Sequence, residues 1–197
     1  AEVVPDAKIV AIALADAAHL GVLQSTIHVR WAEATGGWLG FGNDSNYNHS
    51  DCFGRFPFPS LANGAYTDAI RELAEQIDAH RKQAQLNAPG ITLTAMYNVL
   101  EAIRSGSPLS EKDRAIHDRG QVSVLRQLHD ELDAAVLAAY GWLDLATSLR
   151  QANGIEPLPE GASREEAMRN FAEAVLERLV ALNAERAAEE AKGQIQW

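Results

Sequence analysis

The sequence is poor in cysteine, in long apolar stretches and in positive charge. Its 197 residues include one cysteine, Cys52, which excludes an internal disulfide and favours a reducing compartment such as the cytoplasm. No apolar run approaches the ~20 residues that cross a membrane, so we expect no membrane partner. Lys and Arg number 17 against 27 Asp and Glu, a net charge of −10. This balance argues against an independent nucleic-acid-binding module, which usually carries a basic patch.

Enzyme signatures are also missing. The glycines at 36, 37, 40 and 42 form neither a dinucleotide-binding loop between a strand and a helix nor a phosphate-binding loop followed by Lys. No nucleophile elbow occurs elsewhere. The chain begins with Ala rather than Met and ends directly after a predicted helix. We therefore predict no catalytic residue here and expect a piece of a longer protein.

One segment differs from all the others. Residues 36–60, GGWLGFGNDSNYNHSDCFGRFPFPS, are rich in glycine and in short polar side chains, and they contain Cys52 and two Phe-Pro pairs. Asn and His can address base edges, and Ser can address phosphates. Asn and Asp equally often cap their own backbone in a turn-rich connection. Composition alone favours the connection, and it leaves the binding surface open.

Around this segment the pattern predicts a small α+β part over residues 1–60. Lys8 to Leu14 is a β-branched apolar run typical of a buried strand. Asp16 can cap a helix that ends at Gly36, with Leu20, Leu23 and Ile27 on one face. One or two short strands are expected, near residues 38–41 and 51–56, before Pro57 and Pro59 impose an extended path.

Residues 61–197 predict a helical domain. Apolar residues recur every three to four positions in four stretches, which indicates amphipathic helices. The stripes are Tyr66, Ile70, Leu73 and Ile77; Met96, Leu100 and Ile103; Leu125, Leu128, Leu132, Val136 and Tyr140; and Met168, Phe171, Val175, Leu179 and Leu182. Thr92, Ser110 and Ser163 are candidate N-caps. Residues 110–140 predict one long helix, and Gly120 is a candidate interruption of its first turns. The predicted fold is mainly α: a helical bundle or array following a short strand–helix–loop segment.

Two chemical alternatives arise from single residues. His129 and Asp133 lie at i, i+4 on one helix face, and a His-Asp pair recurs at His117, a pattern that helical metal-dependent phosphohydrolases use. A metal site would need three or more ligands from His80, His117, His129, Asp130 and Asp133. A hydrogen-bonded helix surface is the more ordinary interpretation. Cys52 lacks an associated His–Asp pair, so we predict a small buried hydrophobe rather than a nucleophile.

Long strings of the chain resemble one protein family. They include LGVLQSTIHVRWAEATGGWLGFGNDSNYNHSDCFGRFPFP (20–59), ITLTAMYNVLEAIR (91–104), LDAAVLAAYGW (132–142) and LVALNAERAAEEAKGQIQW (179–197). In this order they are similar to the C-terminal part of the class I S-adenosylmethionine-dependent DNA methyltransferases of bacterial restriction–modification and phage-defence systems. The similarity runs from about residue 20 to residue 197.

The resemblance implies a division of labour. In that family an N-terminal catalytic domain binds S-adenosylmethionine and holds the flipped adenine with an Asn-Pro-Pro-Tyr motif, which this chain lacks. Residues 1–60 then correspond to the end of a target-recognition domain, and residues 61–197 to a helical segment. The implied partners are double-stranded DNA and the catalytic domain, and the cofactor would be bound by that domain rather than here. Chemistry on a stacked base requires its extrusion while another surface holds the duplex.

The implied DNA-contacting residues cluster in and before the glycine-rich segment: Arg30, Trp31, Asn43, Asn46, Tyr47, His49 and Arg55. Relatives tend to carry Arg or Lys at the positions of Thr26, Asn46 and His49, so this chain has fewer cations for phosphate contacts. The neutral residues indicate either a different target sequence or direct reading of bases by Asn46 and His49. The competing hypotheses are a helical protein–protein interaction module with acidic faces and, more remotely, the phosphohydrolase.

Overall fold

The computed structural model describes residues 15–39, 44–62 and 64–194. The predicted mainly helical architecture is confirmed. The helices are α1 Ala17–Gln24, α2 Thr26–Thr35, α3 Ala65–Asn87, α4 Leu93–Ser105, α5 Glu111–Arg119, α6 Val122–Tyr140, α7 Ala146–Ala152 and α8 Arg164–Glu190. Two short strands, β1 Gly37–Leu39 and β2 Asp44–Asn46, and a π-helical turn, His49–Phe53, follow α2. Within the described ranges, no helix is both long enough and apolar enough to span a bilayer.

The helix predicted over residues 16–35 is in fact two helices. Asp16 caps α1 as predicted, accepting a hydrogen bond from the Ala18 N–H at 2.9 Å. Ser25 then ends α1 in an extended conformation and caps α2, because its hydroxyl accepts from the His28 N–H at 3.4 Å. On α1, Leu20 is exposed while Val22 is fully buried, so the predicted stripe of Leu20, Leu23 and Ile27 is only partly buried.

The long helix predicted from Ser110 is likewise divided. Ser110 and Asp113 form the expected reciprocal capping box at the start of α5. Gly120 ends α5, and Gln121 takes a left-handed conformation with φ of 48° before α6 begins. A non-glycine residue rarely adopts that region, so this junction is a true turn rather than a weak point in one helix.

One continuous core joins the two predicted parts of the chain. Its buried residues come from α1 and α2, from the segment after the π-helical turn, and from the long helices α3, α4, α6 and α8. They include Val22, Ile27, Trp31, Phe56, Ile70, Ile77, Met96, Leu125, Leu132, Phe171 and Leu179. The residues 1–60 that the sequence assigns to a recognition segment therefore share their packing with the helical part, as far as they are described.

The glycine-rich segment folds as a hairpin and a turn on this core. Strands β1 and β2 pair antiparallel, with Gly37 opposite Asn46. A Cβ atom at Gly36 would lie 2.6 Å from the Ala32 carbonyl oxygen and 2.9 Å from that of Asn46, so only glycine fits at the entry to the hairpin. The strand predicted near residues 51–56 is wrong, because Asn48 caps a helical turn there. The strand predicted over residues 8–14 lies outside the described residues.

Candidate nucleic-acid interface

A shallow groove of about 250 Å³ lies between α2 and the hairpin. It is lined by Leu23, His28, Val29, Ala32, Glu33, Asn46 and Tyr47. Two predicted contact residues, Asn46 and Tyr47, therefore meet on one surface. Asn46 is exposed at the end of β2, and Tyr47 follows it with 42% of its surface accessible. An amide and a phenol side by side offer both hydrogen-bond donors and acceptors to a ligand.

Aromatic side chains pack together beneath this groove. The Tyr47 hydroxyl and the Nε2 atom of buried His28 lie 3.1 Å apart, within hydrogen-bond distance. The Phe56 ring packs edge-on against the His28 ring at 4.4 Å. Burial lowers the pKa of His28 to about 4, and burial, followed by the proximity of Cys52, raises the pKa of Tyr47. Both side chains are thus neutral near pH 7, and they hold the groove floor without adding charge.

Trp31 does not lie on this surface. Its side chain is 3% exposed, and its indole N–H donates to the Asp51 carbonyl oxygen at 3.2 Å. The Phe56 ring packs beside it with ring centroids 6.1 Å apart. The predicted direct contact of Trp31 with DNA therefore does not fit the structure. Trp31 instead fixes the π-helical turn to α2, because it joins the turn's backbone to the core.

The remaining predicted residues are spread over the same end of the molecule. His49 is exposed on the π-helical turn, and Arg55 follows it with 71% of its side chain accessible. Arg55 pairs with Asp51 at 3.2 Å, and such an exposed pair contributes at most about 1 kcal/mol. Asn48 accepts the Asp51 N–H at 2.8 Å, which is the self-capping that the turn-rich pattern predicts. Asn43 lies outside the described residues.

Arg30 faces a different part of the molecule. Its guanidinium pairs with Glu33 at 2.8 Å, and Glu33 lines the groove. Arg30 itself lines a larger cleft of about 600 Å³ on the far side of α2. That cleft also contains Arg104, Arg164 and Arg169. Sequence reasoning missed this arginine cluster because its members come from three helices and lie far apart in the chain.

Two of the residues proposed for a metal site, His129 and Asp133, form hydrogen bonds to other side chains. His129 Nε2 lies 2.7 Å from the Tyr97 hydroxyl, and the Asp133 carboxylate accepts the Thr26 N–H and hydroxyl, each at 2.6 Å. Burial, aided by Arg104 and Arg81, lowers the pKa of His129 to about 3. No group of three or more metal-ligating side chains occurs among the residues that the structure describes. The hydrogen-bonded interpretation therefore fits the His-Asp pattern better than a metal site, but His129 and Asp133 are buried rather than on a helix surface.

Asp133 and its neighbours form a buried polar network instead. Arg104 pairs with Asp130 at 2.7 Å and lies 3.8 Å from Asp133. Burial raises the pKa of Asp133, although Arg104 and the two bonds from Thr26 act in the opposite direction. The network joins α2, α4 and α6, and so it positions α2, which forms one side of the groove.

Cys52 is fully buried, as predicted. Its Sγ atom lies 3.7 Å from the Ala32 carbonyl oxygen, between the π-helical turn and α2. A thiol enclosed in this way packs as a small apolar group.

In comparisons with known proteins, no protein-family model, no curated protein and no solved structure matches this chain. The methyltransferase resemblance accordingly stays a prediction.

Proposed function

We propose that this chain is the non-catalytic, DNA-reading part of an adenine-specific DNA methyltransferase, and that it positions the duplex for a separate catalytic domain. One observation carries the proposal: exposed Asn46, Tyr47 and His49 project from a surface whose underside is packed into the core. Binding side chains on a rigid support are what sequence readout requires, because the geometry of base contacts must be held closely. The proposed family follows from the sequence segments that resemble DNA methyltransferases.

The chemistry of the surface suits base contacts more than phosphate contacts. The Asn46 side chain can form the paired hydrogen bonds that an amide makes with adenine. The Tyr47 ring and the His49 imidazole are exposed enough to stack or to bond. Arg55 provides the nearby cation, and its weak pair with Asp51 can be exchanged for a phosphate at little cost. The proposed partners are therefore double-stranded DNA and the catalytic domain that binds S-adenosylmethionine, in the cytoplasm.

Alanine at Asn46 or Tyr47 should change DNA methylation by the full-length protein. A paired amide–base contact contributes about 1–3 kcal/mol, so Asn46→Ala should lower methylation of the cognate site by about 5- to 150-fold or relax the base preference at one position. The measurement is sequencing of methylated adenines after incubation of each variant with plasmid DNA. Asn87→Ala, a change at an exposed asparagine at the end of α3, is the matched control.

Two results would contradict the proposal. One is an unchanged rate and an unchanged methylated sequence in both Asn46→Ala and Tyr47→Ala. The other is a full-length protein without methyltransferase activity in which the 197-residue chain captures protein partners but leaves a DNA duplex unbound. The second result would favour the helical protein–protein interaction module.

A further inference from the structure

The arginine-lined cleft lies where four helices meet. Thr26 and Arg30 come from α2, Arg104 from the end of α4, Asn153 from the residue that follows α7, and Arg164 and Arg169 from the first turns of α8. Its volume of about 600 Å³ is in the range of pockets that hold small ligands. The groove beside the hairpin, by comparison, is less than half as large. The cleft is thus larger than that groove, and both border α2.

Positive charge is concentrated in this cleft. Four arginines and two glutamates, Glu101 and Glu165, line it, which gives a local charge of +2 in a chain of net charge −10. Both glutamates are exposed. Arg30 and Arg104 pair with Glu33 and Asp130, which do not line the cleft.

The two arginines of α8 are uncompensated. Across the described part of the chain, neither Arg164 nor Arg169 has a carboxylate oxygen within 4.0 Å. Arg169 is exposed at the mouth of the cleft. An uncompensated pair of guanidinium groups at a concave surface attracts anions.

Several polar atoms of the cleft residues lack a protein partner. The Nε atoms of Arg30 and Arg104 are buried without a hydrogen-bond acceptor, and Asn153, which is 1% exposed, has an unpaired Oδ1 atom. The Nδ2 atom of Asn153 donates to Asp130 at 3.2 Å, which fixes the orientation of its amide. A buried unpaired polar group costs about 1–3 kcal/mol. The three residues that carry these atoms all line the cleft, so the protein's own groups do not fully satisfy its lining.

The cleft is held in shape by its own residues. Arg164 Nη1 donates to the carbonyl oxygens of Ile103 and Arg104, at 3.2 and 3.1 Å, and so ties α8 to the end of α4. Ser163 caps α8 by accepting the Glu166 N–H at 3.1 Å. The N-terminus of this 27-residue helix adds a partial positive charge at the same place. A preorganised set of this kind loses little freedom when it binds an anion.

We propose that this cleft binds a phosphate group. Guanidinium groups beside a helix N-terminus are the arrangement that phosphate oxygens favour, because several N–H donors can address one group. We favour the DNA backbone as the source of this phosphate, because α2 borders both the arginine cleft and the groove that contains Asn46 and Tyr47. This choice of source rests on the proposed function. A free phosphorylated compound is the other source of the same chemistry.

The test uses the 197-residue chain, with sodium pyrophosphate as one probe and a short DNA duplex as the other. Binding is measured by calorimetry and by the NMR signals of the arginine Nε–H groups. Arg169→Gln and Arg30→Gln should each weaken cleft binding by about tenfold, as expected for one charge-assisted contact. For the duplex, each change should also lower the slope of log affinity against log salt by about one. Arg119→Gln, at an exposed arginine outside the cleft, should change neither value.

The results separate the cleft from the hairpin surface. Loss of duplex affinity in the cleft variants, with Arg119→Gln unchanged, supports the DNA source. Loss of pyrophosphate affinity alone supports the site but assigns it to a free compound. Wild-type affinity for both probes in both cleft variants overturns the inference, as does binding of neither probe to the wild-type chain. Neither result bears on Asn46→Ala methylation, so the proposed function stands or falls separately. Arg169→Gln should leave the fold intact, because the Arg169 side chain is exposed and is not paired with any carboxylate of the described residues.

Discussion

Replacing Asp133 with alanine is expected to lower the free energy of unfolding by about 3 kcal/mol or more. The change leaves the buried Thr26 N–H and hydroxyl without the acceptors that now lie 2.6 Å away. It also removes one of the two carboxylates that face Arg104. Because Thr26 begins α2, the loss should loosen the helix that carries His28 and Trp31. Urea denaturation followed by circular dichroism measures the effect.

Two further variants make this result specific. Glu131→Ala alters the same helix at an exposed position whose carboxylate accepts a bond from exposed Gln127, and it should cost less than about 0.5 kcal/mol. Thr26→Val removes the hydroxyl but keeps the N–H, so it should cost about 1 kcal/mol, less than Asp133→Ala. An Asp133→Ala protein as stable as Glu131→Ala would show that this network does not hold α2 in place.

The second large effect is a loss of stability in weak acid. The pKa of His28 is lowered to about 4, by burial, and that of His129 to about 3, by burial and then by Arg104 and Arg81. Both histidines have a pKa of 6.5 in the unfolded chain and bind protons there, whereas in the folded chain they stay neutral. Stability is therefore full above that pH and falls below it. For the two histidines together the loss is about 4 kcal/mol between about pH 7.5 and about pH 5.

This acid effect can be assigned to the two histidines. Asp16, Asp113 and Asp144 have pKa values below the ordinary value of 3.8 for aspartate. The stability that they contribute is therefore lost as the pH falls through about 3.8 and below, which is more acidic than the range in which the histidines act. Burial raises the pKa of Asp133, so this group makes the protein more stable as the pH falls. Because that change opposes the effect of the histidines, variants are needed to separate the two. His28→Gln and His129→Gln should each remove about half of the pH dependence in urea titrations.

Tyr47→Phe is the control for the acid effect. It removes the hydroxyl beside His28 but leaves the burial that lowers the pKa of this histidine, so the full pH dependence should persist. The explanation is wrong if both glutamine variants keep the wild-type pH dependence.

Much of the fold follows from signals that are local in the sequence. Asp16, Thr92, Ser110 and Ser163 all cap the helices that they were predicted to begin. A cap bonds to a backbone group two or three residues away, so the short sequence window contains both partners. The helical spacing of apolar residues also identifies buried positions such as Ile70 and Ile77 on α3.

The errors arise where tertiary packing decides between two local possibilities. Ser25 can sit inside a helix or cap a new one, and only the packing of α2 against α6 selects the second. Tyr66 continues the apolar stripe of α3 but is exposed, because the stripe runs past the edge of the core. From the sequence, Trp31 is suited both to stacking on a ligand and to packing in the core, and the structure places it in the core.

The candidate site is only partly visible in the sequence for a related reason. Asn46 and Tyr47 are adjacent in the chain, so their common surface could be proposed from composition. The arginine cleft unites Arg30, Arg104, Arg164 and Arg169 through helix packing, and no short window contains more than two of them. A charge count over the whole chain even points the other way, because acidic residues elsewhere outnumber this cluster.

The shared core limits how this protein could be re-engineered. The Tyr140 hydroxyl donates to the Pro57 carbonyl oxygen at 2.8 Å, and the α6 carboxylate of Asp133 holds the first residue of α2. A chimera spliced at residue 60 would sever both attachments and expose apolar surface on each half. Exchanges should instead be confined to the exposed residues Asn46, Tyr47, His49 and Ser50, and they should keep the buried residues Trp31, Cys52 and Phe56.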